Sequence, residues 1–140
     1  MGCLFMKKLD NFSKCLNVLR DADFNMADEN EIYRTGVIGQ YNLTFELAWK
    51  ALQAVLRIHG VNDADTGSPR EILKLGFKVG FIKDSAVWLM MLKKRNIATH
   101  IYNEEEIDEL LLLIRDSFIN AFSELETTLK EKMAAAEDRL

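Results

Sequence analysis

The stretch IGQYNLTFELAWKALQAV, residues 38–55, places Ile38, Tyr41, Phe45, Ala48, Leu52 and Val55 at alternating spacings of three and four. At 3.6 residues per turn, that rhythm draws one apolar stripe along about five turns of helix. The helix is expected to end near His59-Gly60, where glycine can take the left-handed conformation that closes a helix and histidine can cap it. Toward the N-terminus, a polar stretch from Asp21 to Glu31 separates it from a second such stripe: Phe5, Leu9, Phe12, Leu16 and Leu19. Toward the C-terminus, the loop Val61–Gly67 is rich in Asn, Asp and Gly, and Ser68-Pro69-Arg70-Glu71 then reads as a capping box. The short helix it opens carries Ile72, Leu73 and Leu75 and ends around Gly76–Gly80. Asp84 is the expected N-cap of a fourth helix running to about Ala98. Ala86 to Leu92 within it are consecutively apolar, and a helix apolar all round must be buried on all sides, centrally or against a partner chain. Asn103 with Glu106 marks the last start, and Ile107, Leu111, Ile114, Phe118, Ala121 and Leu125 continue as a heptad-like seam to about Lys132.

Composition agrees with helices. The chain has 140 residues, enough for one core and too few for two ordinary domains. With 49% apolar and 29% charged residues it is globular rather than disordered, and one proline and seven glycines leave little room for the turns of an all-β fold. Long helices with three-four seams pack at small crossing angles. The expected fold is therefore all-α, an up-and-down bundle of four to five helices in a single domain over residues 1–133, with 134–140 a frayed tail. The apolar run Ala86–Leu92 suggests more buried surface than so small a bundle readily supplies, so a homodimer is expected, with Trp49, Trp88 and Met90-Met91 as core or interface residues.

Several function classes drop out. Cys3, Cys15, His59 and His100 have no ligand spacing, so neither a zinc site nor another cofactor is expected. No Gly-rich phosphate loop, metalloprotease motif or nucleophile elbow is present. Without a membrane-length apolar run or a signal-peptide pattern, the expectation is a reduced, cytoplasmic protein that does not enter a membrane.

The net charge of −4 hides an uneven distribution. Residues 103–140 hold eleven acidic and four basic groups, which leaves the rest of the chain at +3. Arg70, Lys74, Lys78, Lys83, Lys93, Lys94 and Arg95 crowd into residues 70–95 against Glu71 and Asp84. The stripe Arg70, Lys74, Lys78, with Lys93 and Lys94, reads equally as a solvated face and as a track for RNA.

The stretch Lys93 to Asn103 carries the most chemistry. Arg95 and Asn96 are expected in the last turns of the fourth helix, with His100 at or just past its end. On a continuous helix Arg95 and His100 would stand about 140° apart around the axis. They converge only if the helix loosens near Thr99 or a second copy supplies the partner. A histidine that exchanges a proton near neutral pH, beside a guanidinium and an amide, suits phosphodiester chemistry: the histidine moves the proton and the arginine holds phosphate oxygens. The plainer reading is that cations near a helix C-terminus are ordinary capping electrostatics, and that Tyr102 is an amphipathic tyrosine at a helix–loop junction.

Arg95-Asn96-x-x-x-His100-x-Tyr102 between two bundle helices resembles the signature of HEPN domains, and more narrowly the HepT-like proteins, also labelled nucleotidyltransferase substrate-binding proteins. Tyr41 to Lys50 resembles that family's second-helix segment, the short helix after Ser68-Pro69-Arg70-Glu71 also fits, and the likeness spans roughly residues 5–130. The resemblance implies a HEPN-like helical dimer encoded beside a minimal nucleotidyltransferase. In the toxin–antitoxin members of that family the HEPN protein is a metal-independent endoribonuclease, silenced when the nucleotidyltransferase attaches AMP to the motif tyrosine. Carried over, Arg95, Asn96 and His100 would be catalytic, Tyr102 the AMP acceptor and RNA the substrate. The resemblance also allows a non-catalytic substrate-binding subunit of a two-subunit nucleotidyltransferase.

Overall fold

In the computed structural model of the chain, residues 2–95 and 103–138 are described, with side chains over 6–95 and 103–136. The stretch 38–55 lies inside a 28-residue helix, α3 (Glu31–Ile58), and Ile38, Tyr41, Phe45, Ala48, Leu52 and Val55 are all buried along it. The helix starts well before the stripe because Asn30 caps it, its side-chain oxygen accepting the Tyr33 N–H at 2.9 Å. It stops as expected at His59-Gly60. Gly60 takes φ +73°, Val61 N–H donates to the Leu56 carbonyl and Gly60 N–H to that of Arg57, the paired bonds of a Schellman close.

The first expected stripe forms α1 (Gly2–Arg20), with Leu9, Phe12, Leu16 and Leu19 buried; Phe5 lies outside the described side chains. The polar stretch 21–31 contains a helix that periodicity could not reveal, α2 (Phe24–Glu29), which buries only Ala27. A side chain rather than a seam starts it: the Asp23 carboxylate accepts the N–H groups of Asn25 and Met26.

The capping box opens α4 (Pro69–Lys78). Ser68 Oγ accepts the Glu71 N–H at 3.2 Å and donates to its carboxylate at 3.1 Å, so Glu71 reaches the serine hydroxyl. Gly76 lets α4 press against α3, since a Cβ there would stand 2.9 Å from Leu52 Cδ2. Asp84 caps α5 (Ser85–Lys94) through the Val87 N–H, and Asn103 caps α6 (Glu104–Leu113) through the Glu106 N–H. A π-helical segment, Ile114–Phe118, joins α6 without a break to α7 (Ile119–Asp138).

Two expectations are corrected, and a third is narrowed to one of its alternatives. The fourth helix, expected to about Ala98, ends at Lys94, because Arg95 is already extended at φ −66°, ψ 153°. Ala86–Leu92 is not buried centrally within one copy of the chain, where Trp88 and Met91 point inward while Ala86 is exposed and Met90 is 41% exposed, so of the two alternatives only burial against a partner chain is left. The last seam centres on Phe122, with Ala121 beside it and only partly buried against the core. The π segment closes with Ile119 N–H donating to the Ile114 carbonyl, five residues back, and the wider turn presents Phe118 and then Phe122 to the core, with Leu125, Leu129 and Met133 following.

Among the described residues there is no strand, and the fold is an all-helical bundle. Helix α3 is its centre, touching α1, α2, α4 and α7. A connected aromatic core holds these elements together. Tyr41 stacks on Phe118 at 5.5 Å, Phe12 meets Phe122 edge-on at 6.2 Å, and Trp88 of α5 meets Phe122 edge-on at 5.6 Å. A polar brace crosses from α1 to α7, where Arg20 donates to Glu126 at 2.9 Å and to Ser123 at 2.9 Å. At the far end of α3, His59 Nε2 lies 2.9 Å from the Lys132 carbonyl.

Candidate functional site

Arg95, the first residue of the Arg-to-Tyr motif, stands where α5 gives out, and two residues of α3 fix that point. Tyr41 donates its hydroxyl to the Met91 carbonyl at 2.7 Å, pinning the last turn of α5 from inside the core. Burial holds the Tyr41 phenol far above its usual range, and the nearby Arg95 charge only partly offsets this, so Tyr41 is a neutral donor. One turn further along α3, Glu46 meets the Arg95 guanidinium, Oε1 to Nη1 at 3.3 Å. The other Glu46 oxygen accepts the indole N–H of Trp49 at 3.1 Å. One carboxylate thus holds an indole and a guanidinium together. The Arg95 side chain keeps about a third of its surface, 32%, in contact with solvent.

The neighbouring cations behave differently from one another. Lys94 is largely covered and pairs with Glu109 of α6 at 3.7 Å, while Lys93 is exposed. Arg70, Lys74 and Lys78 are exposed along α4; Lys74 and Lys78 border a shallow depression shared with Asn62, Asp63 and Glu71, where the acidic groups offset their charge. Of the residues expected in the site, Asn96, His100 and Tyr102 lie outside the described residues. The structure therefore places Arg95, Lys93 and Lys94 at one end of α5 and the α4 cations on a separate helix.

Glu46, Tyr41 and Trp49 join Arg95 here although no sequence motif marks them for the site. Tyr41 reads as core from its seam position, which it also occupies. Glu46 and Trp49 stand three apart, the spacing of neighbours on one helix face, but nothing local says that Arg95 arrives beside them. A separate groove of about 210 Å³ runs beside the π segment, bordered by Lys83, Asp84, Trp88, Asp116, Ser117 and Asn120 among others. None of the expected site residues that are described borders it, so the candidate site stays with Arg95.

The chain matches the family described as nucleotidyltransferase substrate binding protein like over residues 7–131. A Haemophilus influenzae protein described as a probable ribonuclease HepT is 28% identical over 88 residues, 61% of this chain, and the chain spans 60% of that relative's length. A Thermus thermophilus protein of known crystal structure superposes with a TM-score of 0.67 at 26% identity, covering 87% of this chain and 98% of its own. A Haemophilus influenzae structure, reported as revealing the fold of a substrate binding domain of a nucleotidyltransferase, superposes with a TM-score of 0.65 over 93% of this chain and 99% of its own. At 20% identity that second likeness concerns the fold alone. The match begins inside α1 and ends inside α7, spanning the whole bundle and the Arg-to-Tyr motif, and the chain belongs to the nucleotidyltransferase substrate binding protein like family.

Proposed function

We propose that this protein is a HEPN-type endoribonuclease toxin, cutting RNA without a metal ion and neutralised by a cognate minimal nucleotidyltransferase. One observation carries the reading: the motif arginine, Arg95, stands at the end of α5, which Tyr41 pins from α3, and keeps about a third of its side chain, 32%, in solvent. The likeness to the probable ribonuclease supports it. In the proposed reaction an RNA 2′-hydroxyl gives up its proton and its oxygen attacks the adjacent phosphorus, with His100 as general base for that proton or as general acid for the leaving oxygen and water as its counterpart. The bond from phosphorus to the 5′-oxygen breaks, and that oxygen takes up a proton, leaving a 2′,3′-cyclic phosphate and a 5′-hydroxyl. Arg95 balances the charge that grows on the phosphate oxygens, and Asn96 orients the histidine or a phosphate oxygen through its amide. Lys93 and Lys94, with Arg70, Lys74 and Lys78, supply positive charge for the RNA backbone. Tyr102 accepts AMP from the partner, and a homodimer in the cytoplasm is the working form.

The family description favours a second reading, a non-catalytic subunit that binds substrate for a nucleotidyltransferase. One experiment separates the two. Purified protein, freed of any AMP on Tyr102, is incubated with total RNA with and without EDTA, beside Arg95→Ala and His100→Ala. The ribonuclease reading expects EDTA-resistant cutting that leaves cyclic phosphate ends, spares DNA and disappears in both variants. RNA that binds but stays intact favours the subunit reading, and cutting undiminished in His100→Ala points to a contaminating nuclease.

A further inference from the structure

We infer that Glu46 is a built-in competitor for the phosphate that Arg95 binds: its carboxylate holds the guanidinium at the end of α5 in the free protein and yields it to a phosphodiester of RNA. The inference rests on the reading of Arg95 as the phosphate-binding group. Its ground is the contrast between two arginine–glutamate pairs in the same chain.

Arg20 and Glu126 form a fixed pair. Nη2 lies 2.9 Å from Oε1, the guanidinium also reaches Ser123 and Asn17, and the glutamate side chain is only 11% exposed. The Arg95–Glu46 pair differs in its distance and in the exposure of its glutamate, while the two arginines are similarly exposed, 31% and 32%. It is a single contact through Nη1 at 3.3 Å, longer than the roughly 2.7–2.9 Å of a strong charge-assisted bond. Both side chains keep about a third or more of their surface in solvent, 32% and 39%. Such a pair contributes little to stability and is easily exchanged for a better anion. A phosphodiester is better, because its two unesterified oxygens match the planar guanidinium fork that the single Glu46 oxygen cannot fill.

The arrangement also provides for the moment of release. Glu46 Oε2 is held by the Trp49 indole N–H at 3.1 Å, so the carboxylate keeps its place and one hydrogen bond when the guanidinium turns away. Tyr41 keeps the end of α5 where it is through Met91. Only the arginine side chain has to move. Glu46 is thus a positioning residue, acting on RNA through Arg95.

Binding measured apart from cutting tests this. A 2′-O-methyl RNA oligonucleotide presents phosphates but has no 2′-hydroxyl to attack, and its affinity can be followed by fluorescence anisotropy. Glu46→Gln keeps an oxygen for the Trp49 N–H but removes the charge, and is expected to bind about two- to fivefold tighter, the range an exposed ion pair spans. Glu46→Asp, which retains the charge, should stay close to the unmodified protein. In an Arg95→Ala background, Glu46→Gln should have no effect. With cleavable RNA the same substitution should lower KM by the factor by which it lowers the dissociation constant. An unchanged or weakened affinity in Glu46→Gln with intact helical circular dichroism overturns the inference, as does a gain that persists without Arg95. Should Glu46→Gln unfold, Glu46→Ala carries the same expectation. If wild-type protein binds RNA without cutting it while Glu46→Gln still binds tighter, the ribonuclease reading falls and the role of Glu46 stands.

Discussion

The Tyr41 hydroxyl donates to the Met91 carbonyl at 2.7 Å, joining the centre of α3 to the last turn of α5 four residues before Arg95. Tyr41 is fully buried and stacks on Phe118 of the π segment, so one side chain links the irregular turn of the last helix to the end of α5. Tyr41→Phe keeps the ring and leaves the Met91 carbonyl without this donor, at an expected cost of about 1–3 kcal/mol in chemical denaturation. It should also lower the affinity for 2′-O-methyl RNA, because the platform under Arg95 loosens. The phenol carries a pH signature as well. Its folded-state pKa is raised, so the unfolded chain gives up the proton near pH 10 while the folded chain keeps it, and stability should fall as pH rises beyond that point. Spectrophotometric titration should find Tyr41 resistant to ionisation until the protein unfolds, with Tyr41→Phe removing that resistant signal.

Glu126 sets the acid side of the stability profile. Burial pushes its carboxyl upward, but the Arg20 hydrogen bond and the charges of Arg20 and Lys130 outweigh that and hold it below the usual carboxylate value. A lowered pKa contributes stability at pH values above the ordinary one, and that contribution is lost as pH falls through the folded-state value. Glu126→Gln should therefore flatten the acid limb of a stability-against-pH curve and cost about 1–3 kcal/mol near neutrality, where Arg20 loses its charged partner. An acid limb of unchanged slope would assign the dependence to other carboxylates.

How far the sequence carries can be judged from single residues. The α3 stripe is legible because a three-four rhythm has one packing solution, and Ser68, Asp84 and Asn103 are legible because a cap acts on a backbone N–H three residues on. Helix α2 is not, since a single turn held by Asp23 buries too little to leave a period. The seam reading favours Ala121 over Phe122 because both spacings from Phe118 are helical, and only packing against Phe12 and Trp88 decides between them. In the site, Arg95 is legible from its motif, while its partner Glu46 lies 49 residues away in sequence. Arg20 and Glu126 are 106 apart. Such pairs follow from how helices dock, which local pattern does not encode.

Assembly can be tested at the outer face of α5. Met90 there is 41% exposed, and Phe77 of α4 is 49% exposed beside the depression that α4 and α5 share. We expect a two-fold dimer that covers these side chains. Light scattering at micromolar concentration should give twice the chain mass. Met90→Glu should weaken association by at least about tenfold, the least that losing a buried methionine implies. A wild-type protein that stays monomeric there would remove the dimer from the proposal.

The proposed switch at Tyr102 follows from charge. An AMP group on that phenol adds a phosphodiester anion two residues beyond His100 and seven beyond Arg95, close enough in sequence for Arg95 to take it in place of Glu46. An arginine satisfied by a covalently held phosphate has no vacancy for RNA, and the added negative charge repels the RNA backbone. Silencing would then need no change of fold. Incubation with the cognate nucleotidyltransferase, ATP and magnesium should add one or more AMP masses by intact-mass spectrometry, with pyrophosphate released for each. Tyr102→Phe should receive none and should go on cutting RNA in the presence of the partner. Modified wild-type protein should bind 2′-O-methyl RNA at least about tenfold more weakly than unmodified protein, a larger step than an exposed ion pair such as Glu46 with Arg95 can make. Because the added group competes for Arg95, Glu46→Gln should lose its gain in affinity once Tyr102 is modified. AMP additions that persist in Tyr102→Phe would move the switch to another residue, and additions on Tyr102 that leave RNA affinity untouched would show that charge at this position does not close the site.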